Sequence, residues 1–195
     1  MVQKRISFIE FDEFKKLYGA EKNKQAKLCI LLGFGAGLRI SEIVGYQRKI
    51  KRKKNKETKE VHYFYDKTFI PRLTAEMVDL KSHQIRLEDG KGSKWRTTIT
   101  PPLLDESHLR LLPITLNRRT LQYKFSKLSM KVLNKKMSFH TLRHGFGNYM
   151  ANVLKLPLPM IQSYMGHSRL DTTGIYTKAN PSHAIDEAWK AMGGT

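Results

Sequence analysis

The sequence is poor in acid, in cysteine and in long apolar runs. Only 17 Asp and Glu stand against 36 Lys and Arg, a formal net charge of +19. An excess of that size has to lie on the surface, where its positive potential draws polyanions. A single cysteine, Cys29, excludes an internal disulfide, and its apolar neighbours mark a buried thiol of a reducing compartment. The longest apolar stretch, 28–38, is broken by Gly33, Gly35 and Gly37. It falls short of the roughly 20 residues that span a bilayer. The N-terminal residues lead into charged sequence without an apolar signal core, so a soluble, cytoplasmic protein without membrane attachment is expected. A hydrophobic content of 40% excludes a wholly disordered basic tail, and 195 residues suit one domain, 1–195.

Residues 48–59 hold eight basic residues and one acid, Glu57, a net +7. Most of the excess therefore lies elsewhere in the chain. Nucleic acid is the expected partner, ahead of a membrane surface or an acidic protein. The run itself reads as a solvated loop. Its Lys51, Arg52, Lys53 and Lys54 suit phosphate contact, which adds affinity and salt dependence but no sequence information. Beyond Tyr176 the charge balances, Lys178 and Lys190 against Asp186 and Glu187. That segment is expected to dock on something other than phosphate.

Ser7 and Glu10 have capping-box spacing, and Phe8, Phe11, Phe14, Leu17 and Tyr18 follow at helical period, predicting a helix over 8–18. Further helices are predicted over 24–34, stopped by Gly35-Ala36-Gly37, and over 38–46. Strands are expected at 61–65, 84–88 and 95–100, the last two flanking a Gly-rich turn at 89–94. The 117–134 segment is a basic amphipathic helix with a buried stripe of Leu121, Phe125, Leu128 and Val132. Its other face carries Arg118, Arg119, Lys124, Lys127 and Lys131, either solvated or against DNA. Helices over 140–154, from Pro159 to Gly166 and from about Asp171 complete the pattern. After Asn180-Pro181, Ile185, Ala188, Trp189 and Met192 form a narrow apolar stripe. Helices, a small antiparallel sheet and more helices make a mainly helical α+β domain.

Breaking a phosphodiester without a metal takes a nucleophile, donors for the charge growing at phosphorus, and an acid for the leaving oxygen. Arg39 lies just beyond Gly37 near a helix start, and an Arg fork matches phosphate oxygens in pairs. Lys91 lies between Gly90 and Gly92. His140, Arg143 and His144 occupy i, i+3 and i+4 of one helix face. A zinc site is disfavoured, because Thr141 stands where the metalloprotease pattern needs Glu and no ligand cluster completes a set. His167 follows Gly166, and Tyr176 lies among Thr172, Thr173, Thr177 and Lys178, a poor packing context but a fit one for an exposed phenol. A phenol titrates near ~10 and needs a cationic surround to attack phosphorus at neutral pH.

In order, Gly37-Leu38-Arg39-Ile40-Ser41-Glu42, Gly90-Lys91-Gly92-Ser93-Lys94-Trp95-Arg96, His140-Thr141-Leu142-Arg143-His144, Met165-Gly166-His167-Ser168 and Thr172-Thr173-Gly174-Ile175-Tyr176 resemble the catalytic domain of tyrosine recombinases, the phage-integrase and Xer family. The resemblance runs from about residue 7 to 190. It implies a helical catalytic fold with a small three-stranded antiparallel sheet, and a site-specific recombinase or integrase working through a 3′-phosphotyrosyl intermediate. By it, Arg39 and Arg143 clamp the non-bridging oxygens, and Lys91 protonates the departing 5′ oxygen. His140 assists proton transfer to or from the nucleophile Tyr176, and His167 donates to the phosphate. Glu42 and His144 support the site. From the charge pattern, Lys94, Arg118 and Arg119 are further candidate DNA contacts. No metal or other cofactor is implied. The expected partner is double-stranded DNA in the nucleoid. Self-association on it would build a tetrameric synapse from a free monomer or weak dimer, with a 177–195 tail helix docking in cis or in trans. A type IB topoisomerase-like activity and a catalytically silent DNA-binding module are the alternatives. Four departures from the family pattern stand out. Met165 replaces Leu, Gly145 replaces Ser or Thr, residues 48–71 look inserted, and the upstream DNA-clamping domain is absent. Lys94 is a neighbour that could substitute for Lys91.

Overall fold

Helix α2, Lys24–Gly35, is apolar nearly all round and is buried from Leu28 to Phe34. A helix of that kind has to be covered on every side, and α1, α3, α5 and α6 pack around it. The computed structural model describes residues 7–54, 57–89 and 94–166. Among these, α1 (Phe11–Ala20), α2 and α3 (Ile40–Val44) lead into a ribbon of β1 (Tyr46–Lys54) and β2 (Val61–Ile70). A turn of 3-10 helix precedes β3 (Val78–Asp79), β4 (Gln84–Asp89) and β5 (Lys94–Ile99). Helices α4 (Glu106–Leu109), α5 (Arg118–Leu133), α6 (His140–Asn148) and α7 (Leu158–Met165) follow. This is the expected mainly helical α+β architecture. No helix of the described residues is long and apolar enough to cross a membrane.

Helix α5 matches its sequence pattern closely. Asn117 accepts a hydrogen bond from the Thr120 amide at one end, and Asn134 closes the other in a left-handed conformation. Leu121 and Phe125 are buried, Leu128 and Val132 pack half-buried on the core, and the five cations of the other face are exposed. Cys29 is buried within α2, and burial pushes its thiol pKa up.

Four expectations need correction. Helix α1 starts one turn later than Ser7 suggests: Glu10 is its N-cap, and the Glu13 carboxylate accepts from the Glu10 amide at 3.1 Å. Ile9 is buried and its amide donates to the Thr141 carbonyl at 3.3 Å, so the preceding residues are committed to α6 instead. The cationic run is a strand through Lys54, not a loop, because β2 pairs with it along its length. That ribbon is separate from the three-stranded antiparallel sheet, whose third member is the two-residue β3. The helix expected over 140–154 ends at Asn148 and continues as a π-helical turn, Tyr149–Val153.

Candidate active site

The α2–α3 junction builds the first wall. Gly37 adopts a φ of +65°, and a Cβ there would meet the Phe146 ring at 2.5 Å. Glycine is therefore required both by the left-handed backbone and by the close approach of α6. The turn is held from the sheet by Thr98, whose hydroxyl donates to the Ala36 carbonyl at 2.9 Å. Arg39 then becomes the N-cap of α3, with Glu42 one turn on. The Glu42 carboxylate reaches back to the Arg39 amide at 2.6 Å and to its Nη1 at 2.9 Å.

Glu42 is buried, and burial alone would raise its pKa. The Arg96, Arg39 and Arg143 guanidiniums outweigh that and hold it below the ordinary carboxylate value. Arg96 Nη2 lies 2.7 Å from Glu42 Oε2. One carboxylate thus answers three guanidiniums, leaving a local excess of positive charge.

The same three arginines meet the end of α7. Arg96 donates to the Tyr164 carbonyl, Arg143 to the Met165 carbonyl, and Arg39 to the Gly166 carbonyl at 3.4 Å. Three consecutive carbonyls at a helix C-terminus, the negative end of its dipole, are bonded by three cations from three different elements. Gly166 closes the helix with a φ of +59°, and a Cβ on it would collide with Arg96 Cδ. Arg143 is only 1% exposed, and its Nη1 also donates to the Gly37 carbonyl at 2.6 Å. It ties the α2–α3 turn to the α7 terminus through the interior.

His140 opens α6, and its ring meets that of His144 edge-on, with centroids 4.5 Å apart. Loss of solvent around the His140 ring lowers its pKa to about 4, helped by the His144, Arg143 and Arg39 charges and opposed by Glu42. Burial, then Arg143, lowers His144 as well. Both rings are accordingly neutral at pH 7, able to accept a proton or donate a hydrogen bond beside a cationic cluster. Gly145, which departs from the family pattern, is required by packing: a Cβ there would run into the Ile9 carbonyl and lie 2.8 Å from the Phe34 ring.

Of the sequence-predicted residues, Arg39, Glu42, His140, Arg143 and His144 come together here. Lys91, His167, Tyr176 and the 177–195 tail lie outside the described residues. Lys94 begins β5, opposite Asp89 of β4. Lys51, Arg52, Lys53 and Lys54 lie in β1, and Arg118 and Arg119 open α5, the Arg118 guanidinium standing 5.4 Å from the Tyr46 ring centre. Sequence reasoning gave no role to Arg96. Beyond its place at the end of a family-matching string, its signal is an alternation running through β5 to Thr100, where Arg96 is half-buried and Thr98 and Thr100 are buried while Thr97 and Ile99 are exposed. With the apolar residue outside, that pattern cannot be oriented without the fold.

The chain shows these similarities to known proteins. The model of the phage integrase family matches residues 70–183. Tyrosine recombinase XerA of Pyrococcus horikoshii is 29% identical over 197 residues, covering 92% of this chain and 59% of that protein. The chain thus spans about three fifths of that curated relative. The catalytic domain of bacteriophage HP1 integrase superposes with a TM-score of 0.59 at 19% identity, covering 95% of this chain and 94% of that one. XerH site-specific recombinase, bound to its difH substrate in a pre-cleavage complex, gives a TM-score of 0.59 at 19% identity over 92% of this chain and 52% of that chain.

Proposed function

Because this chain belongs to the phage integrase family, we propose that it is the catalytic domain of a site-specific DNA recombinase, working through a 3′-phosphotyrosyl intermediate. The observation that carries this reading is the convergence of Arg39 and Arg143, from segments far apart in sequence, on one carboxylate and one helix end beside a neutral His140. The Tn1549 transposon integrase, a structural neighbour in complex with transposon right end DNA, supports DNA as the substrate.

In this reading the scissile phosphate enters at Arg39, the half-exposed member of the cluster. Its weak contact to the Gly166 carbonyl exchanges for a non-bridging oxygen. Arg143, buried between the Gly37 and Met165 carbonyls, gives up its Met165 bond to the second non-bridging oxygen, and His167 adds a hydrogen bond. The Tyr176 oxygen forms the new bond to phosphorus as the bond to the 5′ oxygen breaks. The phenolic proton passes to His140, and Lys91 supplies a proton to the departing oxygen. Attack by a 5′ hydroxyl on the phosphotyrosine reverses every step, so the ester conserves the bond energy and no cofactor is consumed. Glu42 holds Arg39 in place and His144 backs His140. Lys94, Arg118 and Arg119 contact flanking DNA. Four copies would assemble on paired sites in the nucleoid, and the 177–195 tail would dock in cis or on a neighbour.

The test is a nicked suicide duplex, built on a sequence that the protein selects from a random pool. Wild type is expected to give a slower-migrating covalent adduct insensitive to EDTA, and Tyr176→Phe none. Absence of any adduct with wild type, or an adduct that persists with the Phe variant, refutes the assignment.

A further inference from the structure

The β1–β2 ribbon belongs neither to the helical core nor to the three-stranded sheet, and its strands pack chiefly on each other. Arg48, Lys49, Lys51, Arg52, Lys53 and Lys54 occupy all but one of positions 48–54. Pairing with β2 shifts register between Gln47 and Lys49 and between Lys49 and Lys51, and with cations at odd and even positions alike β1 offers no continuous apolar row for a core. Pairing is sustained from β2, which sets Tyr63 opposite Arg52, Phe64 opposite Lys51 and Tyr65 opposite Lys49. Aromatic residues favour strands. One strand supplies pairing propensity, the other charge.

The root of the ribbon is fixed to the candidate site. Only Gly45, at a φ of +76°, separates α3 from β1, and a Cβ on it would lie 2.7 Å from Arg72 Cγ. The Leu73 amide donates to the Ile43 carbonyl at 3.3 Å, and Arg72 Nη1 donates to the Ile114 carbonyl at 3.4 Å. Arg118 stands over Tyr46, the first ribbon residue. The helix that presents Arg39 and Glu42 thus runs directly into the ribbon, so the two have a defined placement relative to each other.

Nine residues at about 3.3 Å each make a strand of roughly 30 Å, close to one turn of B-DNA at ~34 Å. The major groove, ~12 Å wide, admits a two-stranded ribbon. Cations spread over the length of β1, at odd and even positions alike, suit a groove with phosphates on two walls. A flat anionic membrane calls instead for an apolar face opposite a charged one. We propose that the β1–β2 ribbon lies in the major groove next to the cleavage site, its β1 cations on the phosphates of both groove walls. This rests on the DNA-recombinase reading above, and adds to it a dedicated affinity element separable from the chemistry.

The experiment compares the full chain with K51Q/R52Q/K53Q/K54Q and with the charge-preserving K51R/K53R/K54R. Binding to a random-sequence duplex is measured from low to high salt. With a slope of about −0.9 per neutralised phosphate, losing about three contacts flattens the log–log salt slope by roughly 3 and weakens binding about 10²–10³-fold at 0.1 M salt. The Arg variant keeps the wild-type slope. On a pool-selected duplex, wild type protects guanine N7 from methylation beside the cleavage site and the Gln variant does not. Methyl green, a major-groove ligand, competes with wild type, which tests the placement without any substitution. An unchanged slope with unchanged N7 protection overturns the proposal. So does loss of binding to phosphatidylserine vesicles with DNA binding intact. Failure of wild type to form the covalent adduct refutes the recombinase chemistry separately, since slope and protection are read without cleavage.

Discussion

Replacing Arg96 with Ala tests whether the arginine cluster is a braced unit. The side chain is 12% exposed; it holds Glu42 at 2.7 Å and bonds the Tyr164 carbonyl. Hydrogen bonds involving a charged group contribute about 1.5–3 kcal/mol each, and removing one partner of a buried ion pair costs about 3–5 kcal/mol. Glu42 keeps Arg39 at 2.9 Å, which limits the loss, so Arg96→Ala is expected to cost about 3 kcal/mol. For a chain of this size that lowers Tm by about 6–12 °C in a calorimetric melt. Amide exchange over 161–165 should accelerate, because the α7 end loses its brace. Arg96→Lys keeps the charge but not the fork, and should recover part of the stability. Adduct formation should slow more than DNA affinity falls, since Arg96 acts through Glu42 and α7. The acid limb also moves. Ionised Glu42 stabilises the fold above the ordinary carboxylate pKa, and that contribution is lost as pH falls through its lowered folded value. Without Arg96 the folded value rises, so acid unfolding begins at higher pH. A loss below about 1 kcal/mol with unchanged exchange over 161–165 would refute the bracing role.

Gly37→Ala forces a side chain into a left-handed position 2.5 Å from the Phe146 ring, and about 3 kcal/mol of destabilisation is expected in a denaturant titration. Gly166→Ala should cost about 2 kcal/mol and also displace Arg96, so its effect and that of Arg96→Ala should fall short of additive in a double-mutant cycle. His140, held at about 4 in the fold against an ordinary 6.5, binds fewer protons than the unfolded chain between those values. Its contribution is complete above pH 6.5 and declines toward pH 4. The stability–pH slope in that window should shrink in His140→Gln, and ring resonances of His140 should show no titration near pH 6.5.

The amphipathic α5, the largely apolar α2 and the Gly166 stop of α7 were legible because each is written in local periodicity and capping chemistry. Ser7 misled because its helix start competes with the Ile9–Thr141 bond, a contact from the far end of the chain. β1 escaped because a run of cations carries no alternation, and its extended form depends on the aromatic strand beside it. β3 is two residues long and exists only as a partner to β4.

The motifs around Arg39, Lys91, His140, Arg143, His167 and Tyr176 announced the family, because residue identity and spacing are one-dimensional facts. Glu42 as the shared counter-charge, and Arg96 as the third guanidinium on the α7 terminus, emerged only in three dimensions. Charge interaction and desolvation depend on distance and burial. For groups brought together by folding, neither quantity exists until the chain has closed around them.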